Sequence, residues 1–117
     1  MKLLVCGSCS YTNYREFEGL LSAYLHEKRP TEIISGGAGG ADSLASIYCH
    51  RHGIPNTVVK PDWKTLGRGA GFARNLEMLS MVDSVVAFWD GQSKGTKHTI
   101  DSAQRLGLFV IVYNVGG

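Results

Sequence analysis

A chain of 117 residues, 44% hydrophobic and 19% charged, has the balance of one folded domain around one core and excludes a disordered segment. Its net charge of +2 is too small to argue by itself for nucleic acid, and no apolar run reaches the roughly 20 residues that cross a bilayer. Met1-Lys2-Leu3-Leu4-Val5 is too short for a signal peptide, and three cysteines imply no disulfide framework, so a cytoplasmic protein without a membrane partner is expected.

Leu3, Leu4, Val5 and Cys6 form a nearly continuous apolar run, as in a strand buried on both faces, over Lys2–Gly7. A polar loop, 8–13, follows. Tyr14, Phe17, Leu21, Tyr24 and Leu25 recur at helical spacing, with Arg15, Glu16, Glu18, Glu27 and Lys28 elsewhere on the wheel and Pro30 ending the helix. Glu32–Ser35 is the second strand. It runs into Ser35-Gly36-Gly37-Ala38-Gly39-Gly40-Ala41-Asp42, and a second helix then buries Ala41, Leu44, Ala45 and Tyr48 before stopping at Gly53. Residues 56–60 read as strand three, and 61–69 as a long loop holding Asp62, Trp63 and Arg68. A third helix spans about 70–81, with Phe72, Leu76, Leu79 and Val82 toward the core and Arg74 and Met78 on another face. Ser84–Trp89 is the most hydrophobic strand. After a loop at 90–95, a fourth helix over 96–106 buries Thr99, Ile100, Ala103 and Leu106; Gly107 caps it and 109–113 close the chain.

Strands alternating with helices in this way imply a mainly parallel sheet covered on both faces, since right-handed crossovers place helices there. The unusual loops all follow strands, so they gather at the carboxyl edge, where such sheets bind ligands.

The glycine octet is the strongest chemical signal. Its glycines let the backbone turn tightly and approach a ligand, and the first-turn amides of the next helix favour an anion. The plainer alternative is a strand-to-helix turn that merely packs closely. Gly95-Thr96, with Lys94 beside it, resembles the octet in role, against the alternative of a helix cap at Thr96. Arg74 can pair with a phosphate and Asn75 with a ribose or base edge, while Trp63 offers a stacking surface or else anchors the loop. Lys60, Lys64, Arg68, Arg74, Lys94 and Lys97, half of the 12 Lys and Arg, suggest a basic rim or an ordinary solvated surface. Cys6-Gly7-Ser8-Cys9 has redox spacing, but Cys6 ends a strand, where no helix dipole stabilises a thiolate. His50 and His52 lie two apart, on different helix faces, so no metal or cofactor is expected.

Gly36-Gly37-Ala38-x-Gly40-Ala41-Asp42, then Asp62-Trp63, then Gly67-Arg68-x-Ala70-Gly71-x-x-Arg74-Asn75-x-x-Met78, then Ala87-Phe88 and Gly95-Thr96, resembles the YspA/YpsA-related branch of the SLOG superfamily. That superfamily includes the Lonely Guy phosphoribohydrolases and DNA-processing protein A. The resemblance covers essentially the whole chain. It implies an α/β, Rossmann-like three-layer sandwich over residues 1–117, with a five-stranded, mostly parallel sheet flanked by helices, that binds nucleotides or nucleotide-derived ligands, commonly as a homodimer. Ligand contacts would come from Gly7, Ser8, Gly36, Gly37, Ala38, Gly40, Asp42, Asp62, Trp63, Arg68, Arg74, Asn75, Lys94, Gly95 and Thr96. Two departures stand out. Thr99 occupies the position of the Lonely Guy catalytic glutamate, and Cys9 stands where close relatives often carry arginine after Gly-Ser.

The leading expectation is a sensor or sequestering protein for a nucleotide or nucleotide-derived signal, working through its own assembly or a partner chain. The alternative is a hydrolase of the nucleotide N-glycosidic bond, for which Asp42, Asp62 and Asp90 are the available carboxylates and Asp42 and Asp90 the catalytic candidates; Asp42 also suits a helix N-cap. A third reading, single-stranded DNA binding, needs exposed aromatics. Only Trp63, Phe72 and Trp89 qualify, and Phe72 and Trp89 are expected in the core, so nucleic acid is not the expected partner.

Overall fold

The computed structural model describes residues 1–116. The strands are β1 (Lys2–Gly7), β2 (Glu32–Ser35), β3 (Asn56–Val58), β4 (Ser84–Trp89) and β5 (Phe109–Asn114). The helices are α1 (Tyr14–Tyr24), α2 (Ala41–His52), the single turn α3 (Trp63–Leu66), α4 (Ala70–Leu79) and α5 (Lys94–Arg105). All strand pairs are parallel, in the order β3-β2-β1-β4-β5. The fold is thus the Rossmann-like α/β sandwich.

The apolar run of β1 explains its central place. Leu3 and Val5 point to one face, packed with Phe17, Leu21, Ile33 and Phe88 under α1 and α2. Leu4 and Cys6 point to the other, with Ile34, Met78, Leu79 and Val85 under α4 and α5. This is the period-2 alternation of a strand buried on both sides. Sequence order reverses between β1 and β4, so the crevice beyond their carboxyl ends is the switch point of the sheet. Two glycines make the crevice edge possible. A Cβ on Gly7 would overlap the Phe88 carbonyl oxygen and approach the Ala41 Cβ to 2.7 Å. Gly40, at φ +60°, lies against the Ser8 and Cys9 backbone, where a side chain would collide.

Several expectations are revised. Within the loop expected at 61–69, Asp62 accepts from the Thr65 amide at 3.1 Å and caps α3, and a 3₁₀ turn, Gly67–Gly69, leads into α4. Strand β3 stops at Val58, and α1 ends at Tyr24, well before Pro30. The phase of α4 differs most: Phe72 and Leu76 are 51% and 50% exposed, while Ala70, Asn75, Met78 and Leu79 face inward. Asn75 turns in because its amide bonds to α5, so the buried stripe is not the most hydrophobic one. Leu106 is exposed at the end of α5, whereas Trp89 packs partly buried in the α4/α5 layer. Helix α5 begins at Lys94 with Ser93 as its cap, the Ser93 Oγ accepting from the Thr96 amide at 3.4 Å, so Thr96 is neither cap nor first residue. Ser93→Ala is expected to cost about 1 kcal/mol, read as a lower denaturant midpoint.

Among the described residues, no helix is long and apolar enough to cross a membrane.

Candidate functional site

The loops after β1, β2 and β4 meet at the switch point around an inner pocket of about 70 Å³. Its walls are Gly7 and Cys9 from the first loop, Ala38 and Asp42 from the glycine turn, Arg74, Asn75 and Met78 from α4, and Ser93, Gly95, Thr96 and Thr99 from the start of α5. A wider cavity of about 340 Å³ adjoins it, lined by Gly36, Gly37, Lys60, Pro61 and Trp63. Ala38 and Arg74 line both, so the two lie side by side at the switch point.

The glycine turn holds an anion of its own. Positive φ at Gly37 (+69°) and Gly40 (+60°) folds the segment back over the start of α2. Gly40, not Asp42, is the N-cap of α2. Asp42, in the first turn, is only 7% exposed and reaches back so that its Oδ2 accepts from the Ala38 amide at 3.0 Å. Burial raises its pKa to about 6, against the opposing pull of the Ala38 amide, the Arg74 charge and the Gly36 amide. A carboxyl group titrating near neutrality in a crevice is a mark of functional sites.

Across the pocket, Arg74 and Asn75 are tied into the frame. The Arg74 guanidinium donates to the Gly36 carbonyl at 2.6 Å, and its Nε donates to Asn75 Oδ1 at 3.0 Å. Asn75, 4% exposed, meets the Gly95 carbonyl at 3.4 Å and His98 Nδ1 at 3.3 Å, so its amide links α4 to α5. His98 stacks on Phe72 at 4.2 Å, and burial, with Arg105 nearby, lowers its pKa and favours the neutral ring. Nothing in the sequence singled out His98; only the structure brings it beside Asn75. Thr99, buried at 2% exposure, donates its hydroxyl to the Gly95 carbonyl at 3.2 Å. The first turn of α5 is open: a Cβ on Gly95 would meet nothing within 4 Å.

The structure thus brings Gly7, Ala38, Asp42, Arg74, Asn75, Gly95 and Thr96 to the inner pocket, and Gly36, Gly37 and Trp63 to the outer one. Ser8 and Gly40 lie behind the wall. The Ser8 carbonyl accepts from the Ala41 amide, and its Oγ accepts from the Asp90 amide at 3.0 Å. Four more expected residues, besides Ser8 and Gly40, line neither cavity: Asp62, Arg68, Lys94 and Asp90. Asp62 caps α3, while Arg68 and Lys94 are exposed to solvent. The Asp90 Oδ1 accepts from the Gln92 and Ser93 amides at 2.8 and 2.9 Å; these bonds shape the loop and hold its carboxyl below the usual range. Lys60, from the expected basic rim, lines the outer cavity, and Cys9, at the position where relatives often carry arginine, lines the inner one.

The family model for YAcAr, the YspA, cpYpsA-related SLOG family, matches residues 1–65. The Gene 61 protein of Mycobacterium phage D29 is 36% identical over 117 residues, covering 94% of each chain. Among solved structures, DNA processing protein A from Streptococcus pneumoniae superposes with a TM-score of 0.76 at 19% identity over 95% of this chain and 49% of its own. The chain spans about half the length of that protein, and the likeness is one of fold. With more than half its residues matched by the family model and a relative similar along nearly all of it, this chain belongs to the YspA, cpYpsA-related SLOG family.

Proposed function

We propose that this protein binds a nucleotide or a nucleotide-derived signalling ligand at the switch-point crevice, as a sensor or by sequestering it. Membership of the SLOG family supports a nucleotide- or DNA-related role in general. The observation that carries the finer reading is the open first turn of α5. Gly95 borders the inner pocket with empty space above it, and the Lys94 and Gly95 amides have no carbonyl of their own helix to meet. A phosphate there gains amide bonds and the helix dipole, with Arg74 on the facing wall. Trp63, 61% exposed at the outer cavity, offers a face for the base.

Calorimetry against nucleoside phosphates, ADP-ribose derivatives and cyclic dinucleotides tests this: at least one should bind more tightly than about millimolar, and none doing so would count against it. Trp63→Ala should weaken that ligand by about 5- to 100-fold, the range for one stacked base, without loss of fold.

Assembly as a homodimer belongs to the same proposal, since the half-exposed Phe72 and Leu76 leave an apolar stripe on α4 that a second copy can cover. Turnover would run through Asp42, the carboxylate that lines the inner pocket; release of free base lost in Asp42→Asn would show it.

A second reading has one observation in its favour. Phe72 lies outside the core, and Trp63 packs 3.7 Å from where a Gly71 side chain would begin, so two aromatics sit exposed near Lys64 and Arg68. That is the raw material of a single-strand platform. Oligonucleotide affinity falling steeply with salt, and exceeding that of any mononucleotide, would favour it.

A further inference from the structure

The inner pocket has two unlike ends. At the α5 end are helix amides in search of an acceptor. At the glycine-turn end is a buried carboxylate. Asp42 is 93% buried, its Oδ2 accepts from the Ala38 amide, and the Gly36 amide also acts on its carboxylate, so that only backbone donors from the glycine turn hold it. Arg74 lies close, but its guanidinium is directed to the Gly36 carbonyl and to Asn75. A phosphate pushed against Asp42 would meet a fixed like charge with little water between them. A hydroxyl group would meet a carboxylate whose two oxygens offer more lone pairs than the backbone amides use.

Connectivity points the same way. The inner pocket and the cavity beside Trp63 share Ala38 and Arg74 as lining, so one nucleotide can extend across both. Moving inward from Trp63, a ligand passes Ala38 and Asp42, and Gly95 lies across the inner pocket. Base, sugar and phosphate follow one another in that order along a nucleotide.

We infer that Asp42 holds the sugar, its carboxylate accepting from a ribose hydroxyl, while the phosphate lies across the pocket on the first turn of α5. This rests on the reading of the crevice as a nucleotide site and adds a substrate class to it: ribonucleotides rather than deoxyribonucleotides, chosen by a residue in the turn that the glycines alone would assign to phosphate.

The test uses AMP, GMP, CMP and UMP, their 2′-deoxy and 2′,3′-dideoxy counterparts, and inorganic phosphate, titrated by NMR so that weak binding is still read. The wild type should prefer a ribonucleotide over both its 2′-deoxy and its 2′,3′-dideoxy counterparts by at least about 10-fold, in line with one charge-assisted hydrogen bond. A preference over the dideoxy compound alone would overturn the ribonucleotide assignment. Asp42→Ala should reduce that preference to below about 3-fold and Asp42→Asn should lessen it, with inorganic phosphate binding no more tightly than about 2-fold above wild type. Asp42→Asn keeps the size and one acceptor of the native side chain, so it guards against a variant that merely unfolds. Unchanged preference in the folded variants would overturn the assignment. So would phosphate and all nucleotides binding much more tightly once the charge is gone, because Asp42 would then be holding the phosphate's own place. If no nucleotide of any kind binds the wild type, the nucleotide reading falls and this inference with it, an outcome distinct from binding without sugar preference.

Discussion

Gly40→Ala is expected to cost about 3–5 kcal/mol of folding free energy, enough to leave much of a marginally stable domain unfolded. Two effects add. The backbone at Gly40 has φ +60° and ψ −124°, a region that residues with a Cβ enter only under strain. The new methyl would also press on the Ser8 and Cys9 backbone, which cannot swing aside as a side-chain end can. In the same loop the Ser8 carbonyl accepts from the Ala41 amide, so relief of the clash would open the start of α2. Gly95→Ala is the matched control. Its Cβ enters open space within α5, so stability should stay level or rise by up to about 1 kcal/mol. Its ligand affinity should nonetheless fall by at least about 10-fold, since the methyl fills the space above the α5 amides. Denaturant titrations followed by circular dichroism, beside calorimetry, read both; a Gly40 variant as stable as wild type would mean that the β1 and β2 loops do not meet as described.

Asp42→Asn is expected to stabilise the protein, by an amount that depends on pH. The carboxyl pKa rises from 3.8 to about 6 on folding, so the folded chain holds the proton more tightly than the unfolded chain. Stability from this group is therefore complete below 3.8 and is lost as pH rises through about 6. Asparagine does not titrate there and keeps an acceptor for the Ala38 amide. The variant should match wild type in acid and exceed it above neutrality by about 3 kcal/mol, the free-energy equivalent of that shift. Unfolding free energies measured across this range check the sign directly. A gap that stayed flat with pH would mean that Asp42 is not desolvated by the fold. A carboxylate that weakens its own fold at neutral pH is more readily understood as part of a binding site than as part of the scaffold.

The sheet and four long helices were legible because apolar runs and helical spacing are set by burial alone. Leu3 to Cys6, Ile33 with Ile34, and Val85 to Phe88 are buried on both faces and read as nothing but strands. The convergence of loops followed from parallel topology. What escaped was decided by polar bonds between elements distant in sequence. Asn75 turns inward to reach Gly95 and His98, which rotates α4 and leaves Phe72 and Leu76 outside. Asp42 looked like a helix cap because it precedes Ser43-Leu44, yet its carboxylate folds back on the glycine turn and Gly40 takes the cap. Asp90 looked free for chemistry, and its bonds to Gln92 and Ser93 lie within its own loop, a pattern that Asp-Gly-Gln-Ser also writes for an ordinary turn.

The most direct measurement is an amide-resolved NMR titration of the wild-type protein with the tightest nucleotide from the calorimetric panel. Shifts should appear first at Lys94, Gly95 and Thr96, together with the Arg74 and Trp63 side chains, and saturate on one curve. Shifts confined to the remote cavity around Tyr48 and His52, with the start of α5 unmoved at saturation, would contradict a nucleotide site at the switch point.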